Sequence, residues 1–387
     1  MVAAPTLVPG YRRPNGWGVR NHTLILPTHT GANLAAKLIA AAAPPAIAVA
    51  HEWDGEPNDP DAPRVERTLA GFGANPNVAA VLVVGLFDSD RRVAELIAAR
   101  SQRVEFFALA DYGGVEATVR AAAPISALLA AAAATQSRVP VPVSEIILGL
   151  ECGGSDSWSG VSANPALGVA SDLLVEAGGT SILGETTELI GAEHLLAARA
   201  AEPAIGERLI GVVHAFETEL AALGVDIRGA NPAPGNIEGG LTTIEEKSLG
   251  AIKKAGTAPL VDVLEFAQRP SRPGLQYMDT PGHDIEQMVG MVAGGCQLVA
   301  FTTGRGTPTG SPIAPCLKIG SNSAMASHQA GDIDIDAGSI LDGTETVTDV
   351  GRRIFERLLE VASGRPTLSE LRGQRDFAIS RTLHGVG

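Results

Sequence analysis

The sequence has few cysteines, few aromatic residues and a deficit of positive charge. Its 387 residues include 3 cysteines, at positions 152, 296 and 316, and this odd, widely spread set is unlike a disulfide framework. The cysteine pattern therefore predicts a protein of the reducing cytoplasm. With 29 Lys and Arg against 43 Asp and Glu, the formal net charge is −14. This balance argues against a surface that binds nucleic acid or an anionic membrane.

Long hydrophobic segments and familiar cofactor loops are also missing. Residues 38–50 and 119–134 are apolar, but proline or arginine interrupts them, so they are predicted to be buried segments and not membrane spans. No positively charged leader precedes an apolar run, so no signal peptide is predicted. The glycines of residues 304–310 lack dinucleotide-binding spacing, and a phosphate loop is absent. The separated cysteines disfavour an iron–sulfur cluster.

The chain does contain a regular alternation of strand and helix patterns, over a length that suits two or three domains. Apolar runs at 22–27 and 78–84 alternate with helical spacing. This alternation predicts an N-terminal doubly wound α/β domain over residues 1–135. Residues 136–143 are predicted to be a linker, and residues 144–387 a larger α/β catalytic domain.

Four predicted strands of the second region end in clusters of glycine, carboxylate and hydroxyl residues. The clusters follow Leu150, Leu183, Met278 and Thr303. Because ligands of open α/β sheets bind beyond the carboxyl ends of the strands, these clusters are predicted to line one pocket. A helix is predicted over residues 260–267 of the same region.

Residues 235–247 combine a glycine-rich turn, three carboxylates and a lysine at the predicted start of a helix. Thr242 and Thr243 are good N-caps, and Glu245 and Glu246 follow each of them by three residues, which is a doubled capping-box pattern. One interpretation is that both glutamates only cap the helix. Lys247 lies in the first turn, against the helix dipole, which predicts an anionic partner for it.

A recognisable pattern is formed by eight short segments: Gly18-Val19-Arg20-Asn21, Glu151-Cys152-Gly153-Gly154-Ser155-Asp156, Ser162-Ala163-Asn164-Pro165, Gly184-Glu185-Thr186, Gly191-Ala192-Glu193-His194, Gly239-Gly240-Leu241-Thr242-Thr243-Ile244-Glu245-Glu246-Lys247, Met278-Asp279 and Thr303-Gly304-Arg305-Gly306. Together these segments resemble the altronate/galactarate dehydratase family, which includes the large subunit of (2R)-sulfolactate sulfo-lyase. The resemblance extends from Gly10 to about Arg381.

The resemblance implies a lyase that acts on small hydroxy acids and depends on Fe²⁺ or Mn²⁺. Many members carry a small SAF-like domain ahead of this region. The present chain begins directly at Gly10-Tyr11, which predicts the large component of a two-chain enzyme or a member that does without that domain. Where sugar-acid dehydratases often have cysteines, residues 51–56 and 85–90 have none, as in the sulfo-lyase branch. The substrate therefore stays open.

Elimination from a 2-hydroxy acid sets the chemical requirements of the site. The proton at C2 is weakly acidic, so a divalent metal and positioned cations must stabilise the enediolate that forms when a base removes it. The predicted metal ligands are Glu151, Cys152, Glu185 and Glu238, with Fe²⁺ favoured and Mn²⁺ or Mg²⁺ as alternatives. The predicted acid–base or cationic catalytic residues are Lys247, Glu246, Asp279 and His194. The predicted substrate-binding residues are Arg305, Asn236, Asn164, Thr303 and Arg20.

Each candidate also has a purely structural interpretation. His194 is equally typical of a helix surface, and Glu185 of a helix cap. A lone cysteine such as Cys152 is more often a buried, inert thiol than a ligand. Asp279 lies beside a Pro-Gly turn that explains it without catalysis, and Arg305 can pair with a local acid.

The sequence thus predicts a cytoplasmic, metal-dependent lyase that eliminates water from an aldonate- or aldarate-type sugar acid to give a 2-keto-3-deoxy acid. One alternative is a carbon–sulfur lyase that releases sulfite from 3-sulfolactate. A second, of another class, is a non-catalytic sugar-acid-binding subunit that needs a separate small SAF-like chain. A homo-oligomer is expected, without nucleic-acid or membrane partners.

Overall fold

A computed structural model describes residues 6–55, 59–100 and 103–381. Glu56, at the end of one segment that distinguishes the family branches, lies outside the described residues. The strands of the first part are β1 (Leu7–Arg13), β2 (Gly16–Gly18), β3 (His22–Pro27), β4 (Ile47–Ala48), β5 (Val78–Gly85) and β6 (Arg103–Ala108). Its helices are α1 (Asn33–Ala42), α2 (Ala62–Gly73), α3 (Arg91–Ala98), α4 (Leu109–Tyr112) and α5 (Val115–Ala134).

The second part has the larger set of elements. Its strands are β7 (Val139–Pro142), β8 (Ile147–Cys152), β9 (Thr180–Leu183), β10 (Leu260–Leu264), β11 (Gly274–Met278), β12 (Leu298–Thr303), β13 (Cys316–Gly320) and β14 (Ile335–Asp336). Its helices are α6 (Ala163–Glu176), α7 (Glu193–Ala197), α8 (Pro203–Ala222), α9 (Ile227–Ala230), α10 (Pro234–Glu238), α11 (Ile244–Ala251), α12 (Asp284–Ala293), α13 (Ser323–His328), α14 (Val347–Ala362) and α15 (Leu368–Arg372).

The first part is a four-stranded parallel sheet in the order β4-β3-β5-β6. Helices α1 and α5 pack with Ile25 and Leu82 on one face of this sheet. Helices α2 and α3 pack with Leu24 and Val81 on the other face. Strand β5 is buried along its whole length, as its unbroken apolar sequence predicts. The α/β prediction is confirmed, with helices on both faces of this sheet.

Helix α5 is the one helix of the described residues that is long and apolar enough to cross a membrane by length and composition. It packs instead along α1 and against β3, with Ala122 and Leu129 buried in the layer. These contacts give its apolar stripe a partner within the chain.

Residues 139–142, within the predicted linker, form a strand. Strand β7 pairs antiparallel with β1, and β1 pairs with β2, so the three make a small separate sheet. Val8 and Val141 are buried in the core of the second part. Strand β1, at the start of the described residues, therefore docks onto the second part of the chain.

The second part is built on a seven-stranded parallel sheet in the order β10-β11-β9-β8-β12-β13-β14. The prediction of a helix over residues 260–267 is wrong, because residues 260–264 form strand β10 at one edge of this sheet. The error has a physical reason: a short apolar run that contains β-branched residues has no period long enough to separate helix from strand.

The two parts share a buried core. Helix α2 packs against α12, and Leu69 and Phe72 of α2 belong to one apolar cluster with Met288 and Val292 of α12. A Cβ added at Gly71 would lie 2.4 Å from the carbonyl oxygen of Ala293, so only glycine permits this approach. Such close packing predicts that the two parts move little relative to each other.

Arg20 joins the N-terminal part to the C-terminal helices. Its Nε lies 2.6 Å from Oε1 of Glu370 and its Nη2 lies 2.8 Å from Oε2, a bidentate pair. Nη1 also donates to the carbonyl of Val361 at 2.9 Å. Burial favours the neutral acid, but the hydrogen bond and charge of Arg20 outweigh it and lower the pKa of Glu370.

This ion pair predicts a pH-dependent stability. Because the pKa of Glu370 is lower in the folded chain than in the unfolded chain, its contribution is present above the unfolded carboxyl pKa of about 4.3 and is lost as the pH falls through the folded value. The free energy of unfolding of wild type should exceed that of Glu370→Gln at pH 7, and the difference should shrink below about pH 4. Urea denaturation at several pH values measures it. A difference that does not vary with pH would contradict the assignment.

Candidate active site

The candidate site lies where the order of strands in the large sheet reverses. From β8 the chain continues to β9 on one side, while β12, β13 and β14 are added later on the other side. Ligands of open α/β sheets bind at such a switch point, beyond the carboxyl ends of the strands. Glu151 and Cys152 are the last two residues of β8 and are fully or almost fully buried. The residue cluster that the sequence places after Leu150 therefore lies at the switch point of the sheet.

A group of buried polar side chains meets there. One potential ligand atom from each of Cys152, Glu185 and Glu188 lies within 4.8 Å of the other two. The Nζ of Lys254 lies 2.8 Å from the Cys152 Sγ, makes a very short contact with Glu185 Oε2 and is 3.8 Å from Glu188 Oε2. The thiol of Cys152 donates to Glu188 Oε2 at 3.0 Å. The group is thus a thiol and two carboxylates around one ammonium.

The loop after β9 positions both glutamates. Glu185 has a φ of 70° and a ψ of 75°, the left-handed region that a residue with a Cβ rarely adopts. Its backbone N–H donates to Thr280 Oγ1 at 2.6 Å, which holds this conformation. A 3₁₀ turn over Thr186–Glu188 then places Glu188 beside Glu185. A strained residue that its neighbours hold in place is typical of a functional site.

The two glutamates have opposite charge preferences. Burial and the charge of Glu188 raise the pKa of Glu185 to about 8, although Lys254 opposes them. Burial also acts to raise the pKa of Glu188, but Lys247 and Lys254 together overcome it and lower that pKa to about 2. Lys247 Nζ lies 2.8 Å from Glu188 Oε1, which is the anionic partner that its position in the first turn of α11 predicts. Neighbouring carboxyls with separated pKa values are the usual basis of acid–base roles.

Glu151 and Asp284 add two further carboxyl groups. Both carboxyl oxygens of Glu151 are buried, and neither has a hydrogen-bond partner among the described residues. Burial first, and then the charges of Glu185 and Asp284, raise the pKa of Glu151. Asp284 stands over the end of β8, since a Cβ at Gly153 would lie 2.1 Å from Asp284 Oδ2. A buried carboxyl without a partner indicates that a proton, a water or a cation completes this site.

The buried group opens onto a cleft of about 500 Å³. Cys152, Glu185, Glu188 and Lys247 form its inner wall, while Asn236 and Arg305 lie at its outer wall. Arg305 Nη2 pairs with Glu238 Oε2 at 2.9 Å, and both side chains are substantially exposed. Asn236 donates to the carbonyl of Ser155 at 2.9 Å and so fixes the turn that faces the cleft. Carboxyl groups, a thiol and a lysine thus form the floor of the cleft, and a guanidinium lies at its opening.

The structure thus brings together Glu151, Cys152, Glu185, Lys247, Asn236 and Arg305 from the predicted set. Glu238 reaches this site only at its opening, through Arg305, and not at the buried group. Asn164 lines a neighbouring hollow of about 210 Å³ that also contains Lys247.

The other predicted residues lie outside the lining of the cleft. Glu246 accepts from the Thr242 backbone N–H at 2.8 Å, so it caps the start of α11. Asp279 accepts from Thr186 Oγ1 at 2.6 Å, and Thr303 Oγ1 accepts from the Gly306 N–H at 2.9 Å. His194 is exposed on α7, and Arg20 is held by Glu370. None of these five lines the cleft.

Sequence reasoning missed Glu188, Lys254 and Asp284. Glu188 follows Glu185 by three residues, and this spacing was available as a signal for a shared turn. Lys254 lies in a 3₁₀ turn after α11 and follows Lys253, which is exposed. No local pattern distinguishes these two lysines, because burial of one and exposure of the other depend on packing against α6.

The charges of the group suit a divalent cation. Four carboxyls (Glu151, Glu185, Glu188 and Asp284) face two ammonium groups (Lys247 and Lys254), which leaves an excess of two negative charges when all are ionised. Two bound protons would balance this excess while both lysines stay in place. The raised pKa values of Glu151 and Glu185 agree with two protons in the metal-free chain. The thiol and carboxylate donors and the unpartnered Glu151 therefore fit a divalent metal.

Comparison with known proteins gives the family of the chain. The protein-family model described as D-galactarate/Altronate dehydratase, C-terminal, matches residues 143–384. The chain belongs to this family. The model described as D-galactarate dehydratase/Altronate hydrolase, second domain, matches residues 10–134. The resemblance of the sequence motifs to the D-galactarate/altronate dehydratase family is thereby confirmed. Because aligned relatives are named as dehydratases and as a sulfo-lyase subunit, this chain is an enzyme of the lyase type.

Members of the D-galactarate/altronate dehydratase family with assigned names align along most of the chain. The (2R)-sulfolactate sulfo-lyase subunit beta of Chromohalobacter salexigens is 37% identical over 376 residues, which is 96% of each chain. Altronate dehydratase of Escherichia coli K12 is 34% identical over 396 residues, 98% of this chain and 79% of that protein. Galactarate dehydratase (L-threo-forming) of Escherichia coli K12 is 44% identical over 230 residues, 59% of this chain and 44% of that protein.

Proposed function

We propose that this chain is a divalent-metal-dependent hydro-lyase that removes water from a sugar acid to give a 2-keto-3-deoxy acid. The observation that carries the proposal is the buried group of carboxyls, thiol and lysines at the base of a polar cleft, at the switch point of the sheet. The dehydratase names of two aligned relatives support the reaction class. The proposed location is the cytoplasm.

Arg305 and Lys247 are the proposed substrate-binding cations. Arg305 is exposed at the opening of the cleft and can exchange Glu238 for the carboxylate of the substrate, which a guanidinium binds in a bidentate manner. Lys247 lies on the cleft side of Glu188 and provides a second positive charge near the reacting carbons. Both cations would stabilise the negative charge that develops when the C2 proton leaves.

Glu185 is the proposed proton-transfer group. Its pKa is about 8 in the metal-free chain, and a divalent ion held beside it would lower that pKa and favour the ionised form that can accept the C2 proton. Glu151, which burial favours in the protonated form, can act as a reserve of the proton that departing hydroxide needs.

The proposed metal-holding residues are Cys152, Glu185 and Glu188, with Glu151 adjacent. A bound divalent ion would polarise the substrate carboxylate and 2-hydroxyl and so make the C2 proton more acidic. A thiolate with carboxylates suits Fe²⁺ better than Mg²⁺, which prefers oxygen ligands alone. Fe²⁺ is therefore the metal proposed first, and Mn²⁺ second.

A sulfo-lyase is the second candidate function. The relative named as a sulfolactate sulfo-lyase subunit aligns with 96% of this chain at 37% identity, slightly above the altronate dehydratase figure. Its name as a subunit also supports an assembly of more than one chain, either with a small SAF-like partner or as a homo-oligomer. Sulfite leaves more readily than hydroxide and needs less acid assistance.

The deciding experiment offers galactarate, altronate and sulfolactate to the anaerobic, Fe²⁺-loaded protein while 2-keto acid and sulfite are measured. Keto acid from a sugar acid supports the hydro-lyase, and sulfite supports the sulfo-lyase. Activity only after addition of a small SAF-like chain supports a two-component enzyme. Tight sugar-acid binding without turnover under every condition would favour the non-catalytic subunit.

Arg305→Ala should raise KM by about 100-fold, since a charge-assisted bidentate contact is lost, while kcat falls less. The fold should be unchanged, because the side chain is 42% exposed. Steady-state kinetics on whichever acid that experiment identifies as the substrate measure the rise in KM. Arg305→Lys should recover part of the lost affinity. Arg120→Ala, at an exposed arginine on α5, is the control. An unchanged KM in Arg305→Ala would remove this residue from the site.

A further inference from the structure

The side chain of Lys254 occupies the centre of the metal-holding group. Its side chain is fully buried, and its Nζ contacts the Cys152 Sγ at 2.8 Å, Glu185 Oε2 at very short range and Glu188 Oε2 at 3.8 Å. These contacts are made with the same three residues whose side chains could hold a metal. A lysine at the wall of a metal site would contact one ligand, whereas this one contacts all three.

The ammonium and a metal ion cannot share this position. A divalent ion held by these side chains would need direct contact with each of them, and Lys254 Nζ already contacts the Cys152 Sγ and Glu185 Oε2. Two cations among the same ligands would repel strongly, because charges on buried side chains are screened less than charges on the surface. One of them must therefore leave before the other binds.

Lys254 neutralises part of the negative charge of the buried group when no metal is bound. Cys152, Glu185 and Glu188 are buried and close together, and buried carboxylates without a counter-ion are strongly unfavourable. Lys254 provides one positive charge and hydrogen-bond donors at the point where the three side chains converge. The group can therefore stay assembled in the metal-free chain.

We infer that Lys254 is an internal counter-ion that holds the ligand side chains together without metal and competes with the divalent ion for their centre. This inference rests on the metal site of the proposed function. Lys254 therefore controls metal affinity. It lowers the affinity for the divalent ion, and it keeps the ligand side chains assembled when no metal is bound.

The test compares Mn²⁺ binding by the full-length wild type, Lys254→Met and Lys254→Gln, with titration calorimetry and with electron paramagnetic resonance to count free Mn²⁺. Both variants remove the charge, and the glutamine keeps hydrogen-bonding capacity in case methionine impairs folding. Lys253→Met is the matched control, because Lys253 is the adjacent residue of the same 3₁₀ turn and is exposed. Thermal melting of each protein is recorded with and without Mn²⁺.

The dissociation constant for Mn²⁺ should fall at least about tenfold in both Lys254 variants and stay within about threefold in Lys253→Met. Metal-free Lys254→Met should melt below wild type, and Mn²⁺ should raise its melting temperature by more than it raises that of wild type. A merely structural lysine would give weaker metal binding when it is removed.

Equal or weaker Mn²⁺ binding in both Lys254 variants would overturn the inference, as would a lack of binding in every protein. The proposed function fails separately. If the variants bind Mn²⁺ more tightly but the Fe²⁺-loaded wild type converts no hydroxy acid, the counter-ion role stands and the lyase proposal falls. Turnover by wild type with unchanged affinity in the variants overturns only the counter-ion role.

Discussion

Glu185→Gln should lower kcat by at least about a thousandfold. The substitution keeps the shape of the side chain but removes a carboxylate that contacts Lys254 and Cys152, and with it the group whose pKa lies near 8. Loss of a positioned proton-transfer group alone typically costs a factor of 10²–10⁴. Loss of one metal-holding oxygen adds to this.

The measurement is kcat on the substrate identified by the keto-acid and sulfite assays, together with circular dichroism to verify the fold. Glu176→Gln is the matched control, because Glu176 is exposed at the end of α6 and should leave kcat unchanged. Wild-type kcat in Glu185→Gln would exclude this residue from proton transfer and from metal binding.

Asn77→Ala should destabilise the protein by about 4 kcal/mol. Asn77 is fully buried. Its Oδ1 accepts from the backbone N–H groups of Val19 at 2.8 Å and Arg20 at 3.2 Å. Its Nδ2 donates to the carbonyls of Gln297 at 2.9 Å and Ile313 at 3.0 Å. Each buried group that loses its partner costs about 1–3 kcal/mol, less where water enters the cavity.

The expected loss of folding free energy in Asn77→Ala is measured from the shift in the urea midpoint and in the melting temperature. Asn33→Ala is the control, because Asn33 is only half-buried and donates to the carbonyl of His51 at 2.8 Å within one domain. The Asn33→Ala substitution should lower the free energy of unfolding by about 1 kcal/mol. A loss in Asn77→Ala no larger than that of the control would contradict the view that this side chain joins the two parts.

The strand ends were the most informative part of the sequence. Glu151 and Cys152 were predicted at the end of a buried strand, and they lie at the end of β8 beside the cleft. The helix start after residue 242 was also predictable, because capping is local: Thr243 accepts from the Glu246 N–H and Glu246 accepts from Thr242. The same local rule shows why Glu246 is a cap.

Other assignments depended on information that no short window of sequence contains. Arg20 and Glu370 are 350 residues apart along the chain, so their pairing was invisible in either segment. Residues 260–264 have too few positions to reveal a period, and pairing with β11 makes them a strand. His194 belongs to a family motif, but it is exposed on α7.

The sequence by itself determined the alternation of strands and helices, the family, and the glutamate and cysteine at the end of the central strand. The strands, the helices and the residues at the strand end follow from periodicity, capping and residue chemistry, which act over a few neighbouring positions. The family follows from the resemblance of the motifs. Only the tertiary structure decided that Lys254 and Glu188 join Cys152 and Glu185 in one buried group. The physical reason is that charge pairing in a protein interior depends on distance through space, and the order of strands in the sheet sets that distance.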